Sequence, residues 1–217
     1  LVPLTLLVMT PISGMGFIIA DLLGIKHKRG SVHDYFARLW ASSLCKAAGV
    51  KIRLHNADIL KSPDPHVYVG NHVSWFDVFA MASVVPSFTF IAKAELEKIF
   101  FFGRAARAGG IVFIERTNRK AAFDSYKAAG TQIEGGRSVV IFPEGTRGFD
   151  YSLRPFKKGP FVFAISAGVP IVPVIIHGAR EVHPKGRIWI RAGTVDIHFL
   201  DPIETTDLYT RQCSLDV

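Results

Sequence analysis

The sequence predicts a single α/β domain with a mixed, largely parallel sheet flanked by helices, preceded by an N-terminal membrane-associated helical segment. Three observations lead there. After residue 30, short runs rich in β-branched and aromatic residues alternate with helix-type stretches, the pattern of βαβ units. Nearly half of the 217 residues (49%) are hydrophobic, which supplies a substantial core and argues against disorder. The first twenty residues carry no ionisable side chain at all.

That first run, LVPLTLLVMTPISGMGFIIA, reaches roughly 30 Å as a helix, about one hydrocarbon core. Pro11, Ser13 and Gly14 interrupt its middle, so a kinked span and an interfacial helical hairpin both satisfy the pattern. The basic KHKRG that follows (Lys26 to Gly30) stands where anionic headgroups would lie. For a span, it sets residues 26 onward on the cytoplasmic side. No basic region precedes the apolar run, which disfavours a cleaved signal peptide. Residues 1–30 are therefore expected to associate with a membrane, and residues 31–217 to form the globular domain.

Within that domain the strand candidates are VKIRLH (50–55), HVYVG (66–70), FTFIA (88–92), GIVFIE (110–115), SVVIF (138–142), PIVPVII (170–176), RIWIRA (187–192) and TVDIHFL (194–200). Gly, Pro, Asn or Asp bound them. Helices are predicted over 31–48, 74–84, 118–134 and 158–167. The third spaces Ala122, Tyr126, Ala129 and Ile133 at near-helical intervals, with Asn118 as cap and Gly135–Gly136 as stop. The last two strands have no helix between them and are expected to pair as a hairpin. The terminal DLYTRQCSLDV reads as the start of a further helix.

Charge and cysteine usage narrow the function classes. Lys and Arg number 26 against 18 acidic residues, a formal charge of +8 that suits a nucleic acid, a phospholipid surface or a phosphorylated substrate. The basic residues are not interleaved with aromatics in a recognisable nucleic-acid module, so no nucleic acid is expected. Cys45 and Cys213 stand far apart, which fits neither a disulfide framework nor a zinc site. No Walker-type loop or dinucleotide fingerprint occurs.

Ligands of open α/β sheets collect beyond the carboxyl ends of the strands, so the post-strand loops matter most. Three of them carry chemistry: NHVSWFD (71–77), ERTNR (115–119) and PEGTR (143–147). In the first, His72 and Asp77 lie about 140° apart on a regular helix and cannot share a face. They meet only if His72 sits in the turn before the helix, with Ser74 as cap and Asp77 reaching back from the first turn. The carboxylate then accepts the Nδ1 hydrogen and leaves Nε2 free to take a proton. Taken alone, the spacing also fits an ordinary helix start. Arg116 and Arg147 have the planar fork that grips phosphate in a bidentate way, although each alone also fits a surface ion pair. Lys157 and Lys158 in FKKG fit either a further basic site or a solvated turn.

Taken together, these loops resemble the 1-acylglycerol-3-phosphate acyltransferase family of glycerophospholipid acyltransferases. NHVSWFD resembles its NHxxxxD block, GGIVFIER its second, FPEGTR its third and VPIVPV (169–174) its fourth. FIAKAELEKIFFFGRAARAGG (90–110) is similar to the segment between the first two blocks. The likeness runs in order from about residue 31 to 203. Glu115 stands where an aspartate is common, and Gly148 where a serine often follows the third block.

The resemblance implies a glycerol-3-phosphate acyltransferase-like fold, with residues 31–217 as the catalytic domain. It implies transfer of a fatty acyl group from an acyl thioester, acyl-CoA or acyl carrier protein, to the hydroxyl of lysophosphatidic acid, giving phosphatidic acid. His72 is the implied general base and Asp77 its orienting partner. Arg116, Glu144, Gly145, Thr146 and Arg147 are implied to seat the acceptor, with Lys93 near its phosphate or the thioester oxygen. No cofactor or metal is called for. The expected setting is the cytoplasmic face of the inner membrane. An acyltransferase for another lysolipid or for glycerol-3-phosphate, and a non-catalytic phospholipid-binding membrane protein, are the competing readings.

Overall fold

The computed structural model describes residues 1–115 and 119–206. The Asn118 cap and the C-terminal helix start therefore lie outside the described residues. A single helix, α1 (Val2–Leu22), opens the chain and is followed by α2 (Val32–Ala47). Then come β1 (Val50–His55), β2 (Val67–Gly70), α3 (Trp75–Val84), β3 (Phe88–Lys93), α4 (Phe102–Ala108) and β4 (Val112–Ile114). The remainder is α5 (Arg119–Glu134), β5 (Ser138–Ile141), α6 (Gly159–Ala167), β6 (Ile171–His177), α7 (Ala179–Val182) and β7 (Gly193–Phe199).

Seven strands make one sheet in the order β1-β7-β6-β2-β5-β3-β4. The five from β6 to β4 are mutually parallel. β7 runs antiparallel to β6, and β1 runs parallel to β7, so this edge pair is reversed. The central strands β2 and β5 are buried along their whole length, as strands covered on both faces must be. Two apolar clusters cover the faces. One gathers Leu44, Phe76, Met81 and Phe199, the other Ile133, Ile141 and Phe163.

Three expectations are corrected. RIWIRA does not form a strand, and residues 187–192 carry no regular structure. The antiparallel partner of β7 is β6, beyond α7 and a loop, not an adjacent hairpin strand. Both flanks of β7 are occupied, by β6 and β1, so the run before it has no ladder to join. At the N-terminus, neither Pro11 nor Ser13–Gly14 turns the chain. Pro11 removes the amide that would pair with the Leu7 carbonyl, yet the helix continues. Gly14 and Gly16 are contact points: a Cβ on Gly14 would lie 2.9 Å from Ala105 and Phe101, and one on Gly16 2.5 Å from the Phe36 ring. Small residues thus let α1 settle closely on α4 and α2.

The opposite face of α1 stays open, with Leu4, Leu7, Ile12, Met15 and Ile19 exposed. Among the described residues, α1 is the one helix long and apolar enough to cross a membrane. It runs antiparallel to α2, since Trp40 donates its indole hydrogen to Thr10 and the Phe17 ring stacks on His33.

Candidate active site

β2 ends at Gly70, and the chain must turn before α3 begins. Asn71 fixes that turn by bonding the Ile176 backbone twice. Its Nδ2 donates to the Ile176 carbonyl (2.9 Å) and its Oδ1 accepts the Ile176 amide (2.7 Å), which fastens the loop to β6. Ser74 has extended backbone and caps α3, its Oγ accepting from the Phe76 amide. Asp77, three residues on, completes a capping box. Its Oδ2 accepts the Ser74 amide (2.8 Å), the Val73 amide (2.6 Å) and the His72 Nδ1 hydrogen (2.9 Å).

One carboxylate therefore serves two ends. It satisfies amide donors that the start of a helix leaves without partners, and it fixes the imidazole. Asp77 has no solvent exposure, while His72 keeps 14% of its side chain exposed and lines a cavity. The imidazole also stacks on the Phe142 ring at 4.2 Å, so its plane is held from the side as well as from Nδ1.

The third loop is bolted to the first. Gly145 adopts a φ of +74°, a left-handed conformation that favours glycine, and its amide donates to the Phe142 carbonyl. The Gly148 amide donates to the His72 carbonyl (2.8 Å), and Glu144 Oε1 accepts the His72 amide (2.9 Å). The buried Glu144 thus clamps the His72 backbone, and its Oε2 has no hydrogen-bond partner among the described residues. Arg147 lies 5.0 Å from the centre of the Trp75 ring, a cation–π contact that aims the guanidinium along the helix start. Burial lowers its pKa and the Asp77 charge opposes the shift; an arginine so placed remains a cation.

The cavity measures about 320 Å³. His72, Trp75, Gly145, Thr146, Arg147 and Lys93 line one end. From there it follows β3 back to Phe88, roughly 17 Å at the usual rise per residue. Its walls are mainly hydrocarbon and include Phe17 of α1, Trp40 of α2 and Phe79 of α3. Arg137 stands at the far end, held by Gln132 and the Phe88 carbonyl. The arrangement is a charged entrance to an apolar slot, with an oriented base between them.

The structure thus brings together His72, Asp77, Glu144, Gly145, Thr146, Arg147 and Lys93 at one end of the sheet. Arg116 lies outside the described residues. Among the described residues, no three His, Cys, Asp or Glu side chains are placed to hold a metal ion.

The Acyltransferase family model matches residues 51–177, well over half of the chain. The chain belongs to the Acyltransferase family. A chloroplastic 1-acyl-sn-glycerol-3-phosphate acyltransferase of Brassica napus is 35% identical over 181 residues, 83% of this chain and 51% of its own length. The human 1-acyl-sn-glycerol-3-phosphate acyltransferase alpha is 32% identical over 162 residues, 74% of this chain and 57% of its own. The chain spans about half the length of these curated relatives. The crystal structure of the 1-acyl-sn-glycerophosphate acyltransferase of Thermotoga maritima superposes with a TM-score of 0.70. That match covers 95% of this chain and 92% of the other at 22% identity, a shared fold.

Within this member of the family, three positioning contacts escaped the sequence reading. Asn71 was visible as the first residue of its block, but its partner Ile176 is 105 residues away. Lys185 Nζ donates to the Arg147 carbonyl (2.6 Å), and the Ser74 hydroxyl donates to the His183 carbonyl (2.9 Å). Both tie the loop after α7 to the loops that carry His72 and Arg147, and no local pattern announces either.

Proposed function

We propose that this protein is a 1-acylglycerol-3-phosphate O-acyltransferase, moving a fatty acyl group from a thioester to the free hydroxyl of lysophosphatidic acid. One observation carries the reading: His72, held at Nδ1 by a buried carboxylate, opens onto an apolar slot beside Arg147. The names of the relatives support the choice of acceptor.

Each side chain then has a task. Arg147, with Arg116 as a second anchor, grips the phosphate of the acceptor and brings its hydroxyl to Nε2 of His72, an orientation effect. The apolar slot takes the acyl chain and excludes water. As the hydroxyl oxygen attacks the thioester carbonyl, Nε2 takes its proton, and the Asp77 carboxylate stabilises the imidazolium. The tetrahedral adduct collapses, the carbon–sulfur bond breaks, and the imidazolium returns its proton to the departing thiolate. Ester, free thiol and neutral imidazole remain. Ser74 is no nucleophile in this scheme, because its hydroxyl caps α3 and bonds the His183 carbonyl. Glu144 acts through the His72 backbone, while Thr146 and Lys93 face the acceptor.

A lipid acceptor explains the open face of α1. Keeping it in the bilayer avoids exposing acyl methylenes to water at about 0.8 kcal/mol each. In this reading residues 1–30 sit in or on the membrane, and residues 31 onward form the catalytic domain on the cytoplasmic side, at the inner membrane in a bacterial cell. Lys26, Lys28 and Arg29 favour that sense.

The test is a mass-spectrometric readout of lipid product. Purified protein receives labelled acyl-CoA or acyl carrier protein and, separately, lysophosphatidate, glycerol-3-phosphate or a lysolipid with a larger headgroup. Phosphatidate should form from lysophosphatidate and vanish in His72→Ala. Preference for another acceptor would replace the substrate assignment. Equal product from the His72→Ala protein would remove the mechanism.

A further inference from the structure

The run Lys185-Gly186-Arg187-Ile188-Trp189-Ile190-Arg191 sets three consecutive apolar residues between basic ones and lies outside the sheet. Ile190 packs inward against the larger core cluster, while Ile188 is 98% exposed and Trp189 38%. Exposing an isoleucine so completely at a loop tip, beside a tryptophan, serves no packing purpose within the chain. Around the tip stand cations. Arg191 stacks over the Trp189 ring at 4.3 Å, Lys185 over the Phe149 ring at 4.3 Å, and Arg187 follows the turn at Gly186. Phe149 and Leu153 on the neighbouring loop are themselves two-thirds exposed.

The placement is as telling as the chemistry. This loop leads into β7, whose start lies at the carboxyl end of β6, the end of the sheet that carries His72. Gly49, just past α2, abuts Ala192, and the antiparallel run of α1 against α2 sets the start of α1 beside the end of α2. The loop therefore shares one end of the molecule with both the start of the apolar helix and the catalytic loops.

We propose that residues 187–191 are a second membrane contact, separate from α1, which inserts Ile188 and Trp189 into the leaflet and sets Arg187 and Arg191 against anionic headgroups. Tryptophan favours the interfacial zone, where its ring is half in hydrocarbon and its N–H stays wet. Basic side chains beside such an apolar tip complement the charge of phosphatidyl headgroups. An acidic carrier protein would also meet the cations, but it gives no role to a bare isoleucine. Because Lys185 holds the Arg147 carbonyl and the His183 carbonyl accepts from Ser74, docking the tip fixes the catalytic end at the lipid surface. The surface chemistry stands whether or not acyl transfer is the reaction.

The full chain is reconstituted into vesicles of phosphatidylcholine and phosphatidylglycerol with brominated acyl chains, and tryptophan quenching is compared with Trp189→Phe. The Trp189 component should be quenched, and less so in purely zwitterionic vesicles. In Arg187→Ser/Ile188→Ser, turnover of vesicle-embedded lysophosphatidate at sub-saturating lipid should fall about fiftyfold or more, since one basic residue near such a surface is worth about fivefold and a buried isoleucine at least about tenfold. Turnover of a short-chain, freely soluble lysophosphatidate should be unchanged. A Trp189 signal untouched by brominated lipid sinks the proposal, as does one altered by an acidic carrier protein instead. Absent turnover on both substrates in wild type, with Trp189 still quenched, overturns the enzymatic reading and leaves the contact standing.

Discussion

Asp77→Asn separates the chemical role of the carboxylate from its structural one. Oδ2 of Asp77 accepts three hydrogen bonds, from two backbone amides and from the imidazole. Truncation to alanine is a poor probe. It would strand the Val73 and Ser74 amides in a buried site at about 1–3 kcal/mol each, against a total stability of roughly 5–15 kcal/mol. Asparagine keeps one acceptor oxygen for these bonds and removes the charge, while its NH₂ takes the buried place of Oδ1, which has no hydrogen-bond partner among the described residues. A hydrogen bond to a charged group is worth about 1.5–3 kcal/mol and a neutral one about 1 kcal/mol. The imidazolium formed during attack therefore loses roughly 1–2 kcal/mol, or about 5- to 30-fold in kcat. Removing the base altogether, in His72→Ala, should cost about 10²- to 10⁴-fold. The assay is steady-state formation of phosphatidate from labelled acyl-CoA, with KM for lysophosphatidate followed alongside. KM should stay near its wild-type value, because in the proposed reaction Arg147 and not Asp77 meets the phosphate. A kcat within twofold of wild type, in an Asp77→Asn protein that remains folded, would refute the pairing as the catalytic device.

Arg147→Lys keeps the charge but loses the planar fork, and KM for lysophosphatidate should rise about tenfold with kcat little changed; an unaltered KM would move the phosphate elsewhere. Gly145→Ala forces a Cβ into a left-handed backbone at about 1–2 kcal/mol, so the Tm should drop by a few degrees and activity with it. A variant as stable and active as wild type would show that the turn relaxes freely. Stability should also fall in mild acid. Burial, then His33 and Arg137, depress the His27 pKa to about 4 against a pull from Asp21. Burial and Arg137 likewise lower His33, opposed by Asp34 and Asp21. The folded protein thus binds fewer protons than the unfolded chain between about pH 4 and 6.5, so stability is complete above that window and lost as pH falls through it. Urea midpoints at two pH values should converge in His27→Gln, and an equally steep loss in that variant would assign the effect to other groups.

Much of the candidate site's layout was legible locally. Strands betray themselves by β-branched runs, and polar residues just past a strand end stand where a parallel sheet presents its ligands. The His72–Asp77 contact was legible as one of two outcomes, since that spacing also fits an ordinary helix start; the structure realises it because Asp77 at the third helical position faces back over the cap at Ser74. By contrast, the resemblance implies that Glu144 helps to seat the acceptor. The fold turns it to the His72 amide, a choice set by how β2 and β5 lie side by side.

The sequence by itself determined the alternation of elements, the apolar first helix and the identity of the charged loops, since each depends on side-chain chemistry within a few positions along the chain. Only tertiary structure decided the rest. RIWIR has the composition of a strand, but a strand exists only where a neighbour offers its amides, and β6 and β1 had already closed both flanks of β7. PISGMG looks like a break, but its small residues become a seam once α4 and Phe36 press against them. Asn71 to Ile176 and Lys185 to Arg147 bridge residues remote in sequence, and such contacts come into being only when the sheet assembles.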